Sequence, residues 1–411
     1  MARQWIEAAA VGLVAVLLVS GPVRGATEAQ KEAAIEGGLR YLAQNQQADG
    51  AWSSNAGYGV STGAMVRAFA RAGYQAGDDV VLGGTNYGDV VGRGLNYLFS
   101  QAQAMNISVQ VWGNPDTNGN GLGVKFVRGG PNSRDTQSTG MALDGIVAAG
   151  RPDMVVTTGQ LAGWTYGQVV QDTVDYFAYG QVETVNPPYY SGGWRYYANF
   201  GQSDQSCTPW AVTGLLAARQ WGIEAPAFVT SELEKYLGYI QRPDGGSAYM
   251  GDGSLGSNVY RTGAFLSEAF YAEDTAAEVR VQAALGYLNG RWTTGGTDGN
   301  FANPGAMWSV FEGLAALIGT DDNSWITNLY YGSGELDPGD TWNWCEDYCQ
   351  YLVSTQQASG VWGGAVYYDN LLTTAWNVDM LVSATPEPGT VLLLGLGAVQ
   401  LRRRVGVRRR R

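Results

Sequence analysis

The chain has 411 residues, of which 45% are hydrophobic and 12% aromatic, and its net charge is −12 at neutral pH. An acidic surface repels phosphate-rich polymers and excludes nucleic-acid binding, and the absence of histidine excludes His-based triads, His-ligated metals and His acid–base catalysis. The 59 glycines and the many aromatic residues predict glycine–aromatic turns around an ample core, with no cofactor implied.

The N-terminus has the pattern of a secretory signal peptide over residues 1–25. Arg3 precedes an apolar run from Ala8 to Val19, and small residues follow before a predicted cleavage site at Ala26. We therefore expect an exported protein whose folded domain covers residues 26–385.

Six helical hairpins follow in chain order. Their first helices are predicted over residues 29–44, 89–101, 167–178, 230–240, 276–288 and 341–355. Each second helix is aligned on one anchor residue, and the anchors are Thr62, Thr139, Thr208, Thr262, Met307 and Thr373. The positions three, four, seven and eight residues beyond each anchor form one helical stripe, and all of them except Asn377 are apolar.

The two helices of a hairpin are joined by a glycine-rich elbow. Clear elbows read QADGAW (47–52), SGGWRYY (191–197), PDGGSAY (243–249) and GVWGG (360–364). The fifth elbow (290–301) is looser, and the second hairpin has a long loop over 105–134 instead. Such repeats cannot bury both helix faces alone, so they must stack or close into a ring.

Two of these elbows carry a family resemblance. QNQQADGAW (44–52) and QQASGVW (356–362) resemble the QW repeat of squalene cyclases and protein prenyltransferases. The similarity spans Ala29 to Ala384. It implies an all-α fold, an α/α toroid of six hairpins with inner helices around a lumen, but it does not fix the chemistry.

The C-terminus combines the motif Pro386-Glu387-Pro388, an apolar run over 390–399 and seven arginines. This order resembles the PEP-CTERM sorting signal of exported bacterial proteins. The resemblance implies transient membrane insertion through residues 390–399 and removal of residues 386–411 by an exosortase-type enzyme. The alternative is a basic tail that binds anionic lipid.

The catalytic motifs of the resembled families are not matched. Squalene–hopene-type cyclases use D-x-D-D-T-A, whereas this chain reads DQSCT (204–208), with Ser206 and Cys207 at two acid positions. The prenyltransferase zinc needs a histidine. An acidic or amide residue four positions before the anchor recurs in four repeats, which predicts helix N-caps at Asp135, Asp204, Asn258 and Asp369. Cys345 and Cys349, one helical turn apart, indicate core packing, with a metal site or disulfide as the alternative.

Five charged residues lie five or six positions beyond an anchor: Arg67, Asp144, Glu268, Glu312 and Asp379. If this face points into the lumen, it forms an acidic ring with one cation. Such a ring could be a site for a polar or cationic ligand, a carboxylate pair for glycoside hydrolysis, or a mutually paired helix face. Three tryptophans near the starts of inner helices, which could stack on a sugar or apolar ligand or pack in the core, are Trp210, Trp308 and Trp376.

The loop Asp116–Gly121 reads DTNGNG, which matches the first half of an EF-hand calcium loop with oxygen ligands from Asp116, Asn118 and Asn120. Val127 stands at the twelfth position, where a bidentate glutamate belongs. A plain Asn/Gly turn is the alternative.

We expect an exported, envelope- or surface-associated member of this fold that binds a small-molecule, lipid or glycan ligand without cyclising it. The first alternative is a glycan lyase or hydrolase that uses the lumen carboxylates. The second is an isoprenoid cyclase with an unrecognised acid.

Overall fold

The structure is a computed structural model. It describes residues 25–53, 58–127, 134–296, 298–331, 342–365 and 368–385. Residues 1–24 of the predicted signal peptide, and the predicted sorting motif Pro386–Pro388 with the tail behind it, lie outside the described residues.

Twelve α-helices follow one another in the described part of the chain: α1 (Glu28–Gln44), α2 (Tyr58–Arg71), α3 (Tyr87–Ser100), α4 (Asp135–Ala149), α5 (Tyr166–Gly180), α6 (Thr208–Gln220), α7 (Ala227–Ile240), α8 (Val259–Tyr271), α9 (Val279–Arg291), α10 (Pro304–Leu317), α11 (Trp344–Thr355) and α12 (Asn370–Ala384). Two short antiparallel hairpins accompany them, formed by β1 (Val81–Leu82) with β2 (Thr85–Asn86) and by β3 (Ala102–Asn106) with β4 (Leu122–Phe126). None of the helices in the described ranges has the length and hydrophobicity needed to cross a membrane.

The even-numbered helices form an inner ring. Each contacts the next even-numbered helix, and α12 contacts α2, which closes the circle. The odd-numbered helices lie outside, and α1, for example, contacts α12, α11 and α2. The predicted all-α toroid of six hairpins is therefore confirmed.

Glycines bring inner helices into backbone contact. A Cβ atom on Gly140 would lie 1.9 Å from the carbonyl oxygen of Trp210, and one on Gly63 would lie 2.2 Å from that of Met141. On the other side of the ring, a Cβ on Gly263 would lie 2.6 Å from the backbone nitrogen of Val310. Each of these glycines directly follows an anchor threonine inside its helix, so this position sets how closely neighbouring inner helices approach each other.

In each repeat with a clear elbow, a glutamine between the outer helix and the elbow connects neighbouring repeats. Its amide donates one hydrogen bond to a glycine carbonyl of its own elbow and another to a carbonyl of the next outer helix. Gln46 bonds to Gly50 and Val90, both at 2.9 Å, and Gln181 and Gln241 repeat the arrangement. Gln356 bonds to Ala34 of α1 at 2.8 Å, so the last repeat is joined to the first by the same device.

The anchor threonines fix the elbows to the inner helices. The hydroxyl of Thr62 accepts the backbone N–H of Trp52, and Thr139, Thr208 and Thr262 accept equivalent bonds. In the sixth repeat the acceptor is Thr374, which receives the N–H of Trp362 at 3.2 Å, so the predicted anchor Thr373 is wrong by one residue. Because two threonines are adjacent there, the apolar stripe alone did not distinguish them.

In the second repeat, strands β3 and β4 replace the glycine–aromatic elbow that the sequence does not show. Ala102 pairs with Phe126 across this hairpin, and the ring of Phe126 packs against Phe99 of α3 with centroids 6.5 Å apart. The backbone N–H of Phe126 bonds to Thr139. Phe126 thus takes the place of the elbow tryptophan.

The predicted N-caps are confirmed in two of four cases. Asn258 accepts a bond from the N–H of Arg261 and caps α8, and Asp369 caps α12 in the same way. Asp135 is instead the first residue of α4, where its carboxylate pairs with Lys125 at 2.7 Å. The fourth, Asp204, precedes α6 without capping it because its carboxylate is engaged elsewhere, as described below.

Candidate functional site

Arg67 of α2 lies at the centre of the inner ring and is only 2% exposed. Its guanidinium pairs with Asp144 of α4 at 2.9 Å, with Glu312 of α10 at 2.7 Å and with Asp379 of α12 at 3.1 Å. Because α10 is not adjacent to α2, the contact with Glu312 crosses the interior of the ring. Four of the five predicted charged residues therefore meet at one point.

Arg71, one turn beyond Arg67, was not predicted as a site residue. It lies 3.3 Å from Asp379 and 3.8 Å from Glu312, and its side chain is 31% exposed at the edge of this cluster. The four-residue spacing after Arg67, which places both side chains on one helix face, was the sequence signal that could have identified it.

The carboxylates of the cluster differ in their proton affinity. Burial raises the pKa of Asp144 to about 6, against the lowering effect of Arg67, and burial likewise raises the pKa of Asp379. Burial also acts to raise the pKa of Glu312, but the guanidiniums of Arg67 and Arg71 outweigh it and lower that pKa. The interior is therefore a paired charge network in which Glu312 is held as the anion.

The three predicted tryptophans pack on each other. Trp308 and Trp376 are stacked with centroids 5.0 Å apart and planes at 12°, and Trp210 of α6 stacks on both, at 5.8 and 6.3 Å. The guanidinium of Arg67 lies 5.7 Å from the ring centre of Trp308. Since α6 is adjacent to neither α10 nor α12, this stack also crosses the interior, and it lies against the Arg67 cluster.

Glu268 does not join the cluster, contrary to the expectation of one acidic ring. It is fully buried in α8, and its carboxyl accepts a hydrogen bond from the amide of Gln205 at 2.8 Å. Burial raises its pKa well above the usual range, which favours the protonated, neutral form of Glu268. Gln205 lies within the DQSCT segment but was not selected from the sequence.

Asp204, the remaining acid of DQSCT, is also fully buried. Its carboxylate pairs with Arg195 at 3.2 Å and accepts hydrogen bonds from the Tyr249 hydroxyl at 2.8 Å and from the backbone and hydroxyl of Ser206. The Arg195 guanidinium in turn lies over the rings of Tyr196 and Phe200. This geometry suits a structural ion pair that holds the elbow against α6.

The loop proposed for calcium is closed by its own hydrogen bonds. The Asp116 carboxylate accepts three backbone N–H bonds from residues 119–121, and the amides of Asn118 and Asn120 donate to Asp172 of α5. Within the described ranges, no group of three or more acidic, cysteine or histidine residues is arranged to hold a metal. In this structure the loop forms an Asn/Gly turn attached to α5, and calcium binding by Asp116, Asn118 and Asn120 stays a prediction.

The two cysteines of α11 are buried as free thiols, 4% and 1% exposed. A hydrogen bond with Cys349 and burial raise the pKa of Cys345 well above its usual range, which disfavours the reactive thiolate. Their position matches the predicted core packing.

Among the described residues, the interior holds the Arg67 charge network, the tryptophan stack and the buried carboxyl of Glu268. Asp144, Glu312 and Asp379 share Arg67, so they do not face each other across a gap as the two carboxyls of a glycosidase do. Glu268 lies outside this network, and its burial favours the form that can donate a proton.

No protein-family model matches this sequence, and no curated protein matches it. Among solved structures, the fold is similar to that of the type II terpene cyclase MstE from Scytonema in its apo form, with a TM-score of 0.51 and 14% identity over 87% of this chain and 99% of that chain. A variant of MstE bound to its product merosterolic acid A gives a TM-score of 0.51 at 13% identity, over 87% of this chain and 97% of that chain. The chain has a terpenoid cyclase-like fold; at these identities the likeness concerns the fold alone.

Proposed function

We propose that this chain is an exported, non-cyclising protein that uses the terpenoid cyclase-like toroid to bind a ligand outside the cytoplasm. The main support comes from the contacts between side chains inside the ring. The aromatic rings that could line a substrate chamber stack on each other, and three of the acids pair with Arg67. Ser206 and Cys207 stand where an alkene-protonating motif needs carboxylic acids.

The proposed route to the cell surface depends on the two termini. Residues 1–25 act as the signal peptide, residues 26–385 form the toroid, and residues 386–411 hold the protein in the membrane through 390–399 until an exosortase-type enzyme removes them. Replacing Pro386, Glu387 and Pro388 with alanine in a host that has such an enzyme should leave the tail attached and the protein in the membrane fraction. Equal processing of the variant and the wild type would contradict this route.

The non-cyclising part is tested by incubating the purified protein with labelled isoprenoids. The expected result is recovery of unchanged substrate. Formation of a cyclic product would overturn the proposal.

A second candidate is an isoprenoid cyclase in which Glu268 is the acid. It is favoured by one observation, the complete burial of Glu268, which raises the pKa of its carboxyl and so favours the protonated form. Any cyclic product formed by the wild type should then be lost in Glu268→Gln, which has nearly the same shape but carries no acidic proton. A product that persists in Glu268→Gln would exclude this residue as the acid.

A further inference from the structure

A cavity of about 150 Å³ lies outside the inner ring, between the loop 107–113 and the outer helix α7. Its walls include two aromatic side chains, an ion pair and two hydroxyls, namely Trp112, Tyr239, Glu232, Lys235, Thr184 and Ser191. We propose that this cavity binds one neutral sugar ring. The proposal names the ligand class for the ligand-binding function above and rests on it.

Trp112 is presented by a tight turn that is fixed at both ends. Gln110 and Gly113 exchange backbone hydrogen bonds of 2.8 and 3.2 Å, and the Gln110 side chain donates to the carbonyl of Tyr179 at 2.6 Å. The backbone at Gly113 lies so close to Phe228 of α7 that an added Cβ would be 3.1 Å from its ring. The turn that carries the indole is therefore fixed before any ligand binds, and the Trp112 ring lies against Phe228 with centroids 6.5 Å apart. A fixed turn reduces the entropy lost on binding.

The opposite wall is equally fixed. The segment Pro188–Ser191 runs into Gly192, which has a φ of +90° and approaches α7 so closely that a Cβ would lie 2.3 Å from the carbonyl oxygen of Glu232. Gln181 ties this segment to α7 by donating to the carbonyls of Gly192 at 2.7 Å and Val229 at 3.0 Å. A positioned wall of this kind gives the cavity a defined shape.

The polar groups of the cavity are balanced in charge. Glu232 is 8% exposed and pairs with the exposed Lys235 at 2.6 Å, so a bound anion would meet the carboxylate and a bound cation would meet the ammonium. The Ser191 hydroxyl accepts the N–H of Val185 at 3.1 Å, which leaves its proton available to a ligand oxygen. A neutral ligand rich in hydroxyls matches this set of donors and acceptors.

The volume and the aromatic walls of the cavity favour a ligand with one ring. A cavity of about 150 Å³ is the size that accommodates one six-membered ring. The C–H face of a pyranose carries partial positive charge and packs favourably on the electron-rich face of Trp or Tyr. Its hydroxyls, at the ring edge, would then reach Glu232, Lys235 and Ser191.

The experiment titrates the full-length protein by calorimetry with neutral hexoses, N-acetylhexosamines and uronic acids, and applies the same protein to a glycan array. We expect a neutral sugar to bind, and we expect Trp112→Ala and Tyr239→Ala each to weaken binding by about tenfold or more. Val109→Ala is the matched control, because Val109 is 71% exposed on the same loop and does not line the cavity. It should leave the affinity within about twofold.

Binding of free monosaccharides would show that the ligand is a free sugar. Binding on the array alone would show that the ligand is the end of a glycan chain. Either result supports the proposal. Absence of binding in both assays would overturn it, as would equal binding by Trp112→Ala, Tyr239→Ala and wild type. Binding of the protein to phosphatidylcholine vesicles through the exposed Val109 and Val111 with no sugar binding would also overturn it, in favour of a lipid surface.

The failures of the two proposals can be distinguished. If sugar binding is absent and labelled isoprenoid is unchanged, the sugar site alone is wrong. If a cyclic product forms while Trp112→Ala still reduces sugar binding, the non-cyclising function alone is wrong.

Discussion

The interior of the ring and the cavity on its outer side both contain charged and aromatic side chains. In the interior the aromatic rings pack on one another, whereas in the outer cavity they line an open space. In the interior, Arg67 is paired with three carboxylates and the three tryptophans stack on each other. In the outer cavity, Trp112 and Tyr239 line a space that no side chain fills, and Tyr239 is 39% exposed. The comparison shows that charged and aromatic residues indicate a binding site only where they are not already satisfied by one another.

The largest effect is expected from removing the central cation. Arg67→Met leaves Asp144, Glu312 and Asp379 buried without their common partner, which should cost about 3–5 kcal/mol in the free energy of unfolding. Chemical denaturation of the purified protein measures it. Arg71→Met is the control, because this side chain is 31% exposed and should contribute only about 1 kcal/mol or less. Equal losses in the two variants would mean that the interior is solvated, like the outer cavity.

A smaller effect is expected from separating two inner helices. Gly140→Ala places a Cβ against the backbone of Trp210 and should destabilise the fold by about 1–3 kcal/mol while loosening the tryptophan stack. Gly286→Ala in α9 is the matched control, since a Cβ there meets no atom within 4 Å. That change should raise stability by up to about 1 kcal/mol through helix propensity. Thermal unfolding of both variants tests the contrast, and a stable Gly140→Ala protein would show that the inner helices are not in backbone contact.

Adjacent threonines provide a test of the sixth repeat. Thr374→Val removes the acceptor for the buried N–H of Trp362 and should cost about 1–2 kcal/mol. Thr373→Val should be neutral or slightly stabilising, because no described residue hydrogen-bonds with the buried Thr373 hydroxyl. The denaturation midpoints of the two variants show which threonine is the anchor. A larger loss of stability in Thr373→Val than in Thr374→Val would restore Thr373 as the anchor.

The smallest effect is expected for Glu268→Gln at acidic pH. Near pH 5 its free energy of unfolding should lie within about 0.5 kcal/mol of that of the wild type. Because folding raises the pKa of Glu268 above its ordinary value of 4.5, its contribution to stability is complete below pH 4.5 and is lost as the pH rises through the folded pKa. The variant has no such loss, so its stability relative to wild type should increase from pH 5 to pH 8. The other acids titrate in both proteins and cancel in the difference. A difference that is constant with pH would contradict the neutral acid.

The sequence predicted the fold well because each inner helix repeats one apolar stripe beyond a threonine, a local pattern that does not depend on distant contacts. Their position five or six residues beyond an anchor likewise selected Arg67, Asp144, Glu312 and Asp379 as candidates. It did not reveal that they contact one another rather than a ligand, because that depends on how closely the ring closes.

Other features depend on contacts between distant segments. Glycine is a poor helix former, yet Gly140 lies inside α4, where it allows a backbone contact with α6. Trp112 was not selected because its importance arises only when its loop folds onto α7, more than a hundred residues later.

The most direct test of the account is a crystal structure of the protein soaked with a long-chain isoprenoid. We expect Trp308 and Trp376 to remain stacked near 5.0 Å with Arg67 still paired to Glu312, and no isoprenoid density between the two rings. Isoprenoid density inside the ring, with the tryptophans parted around it, would contradict the account.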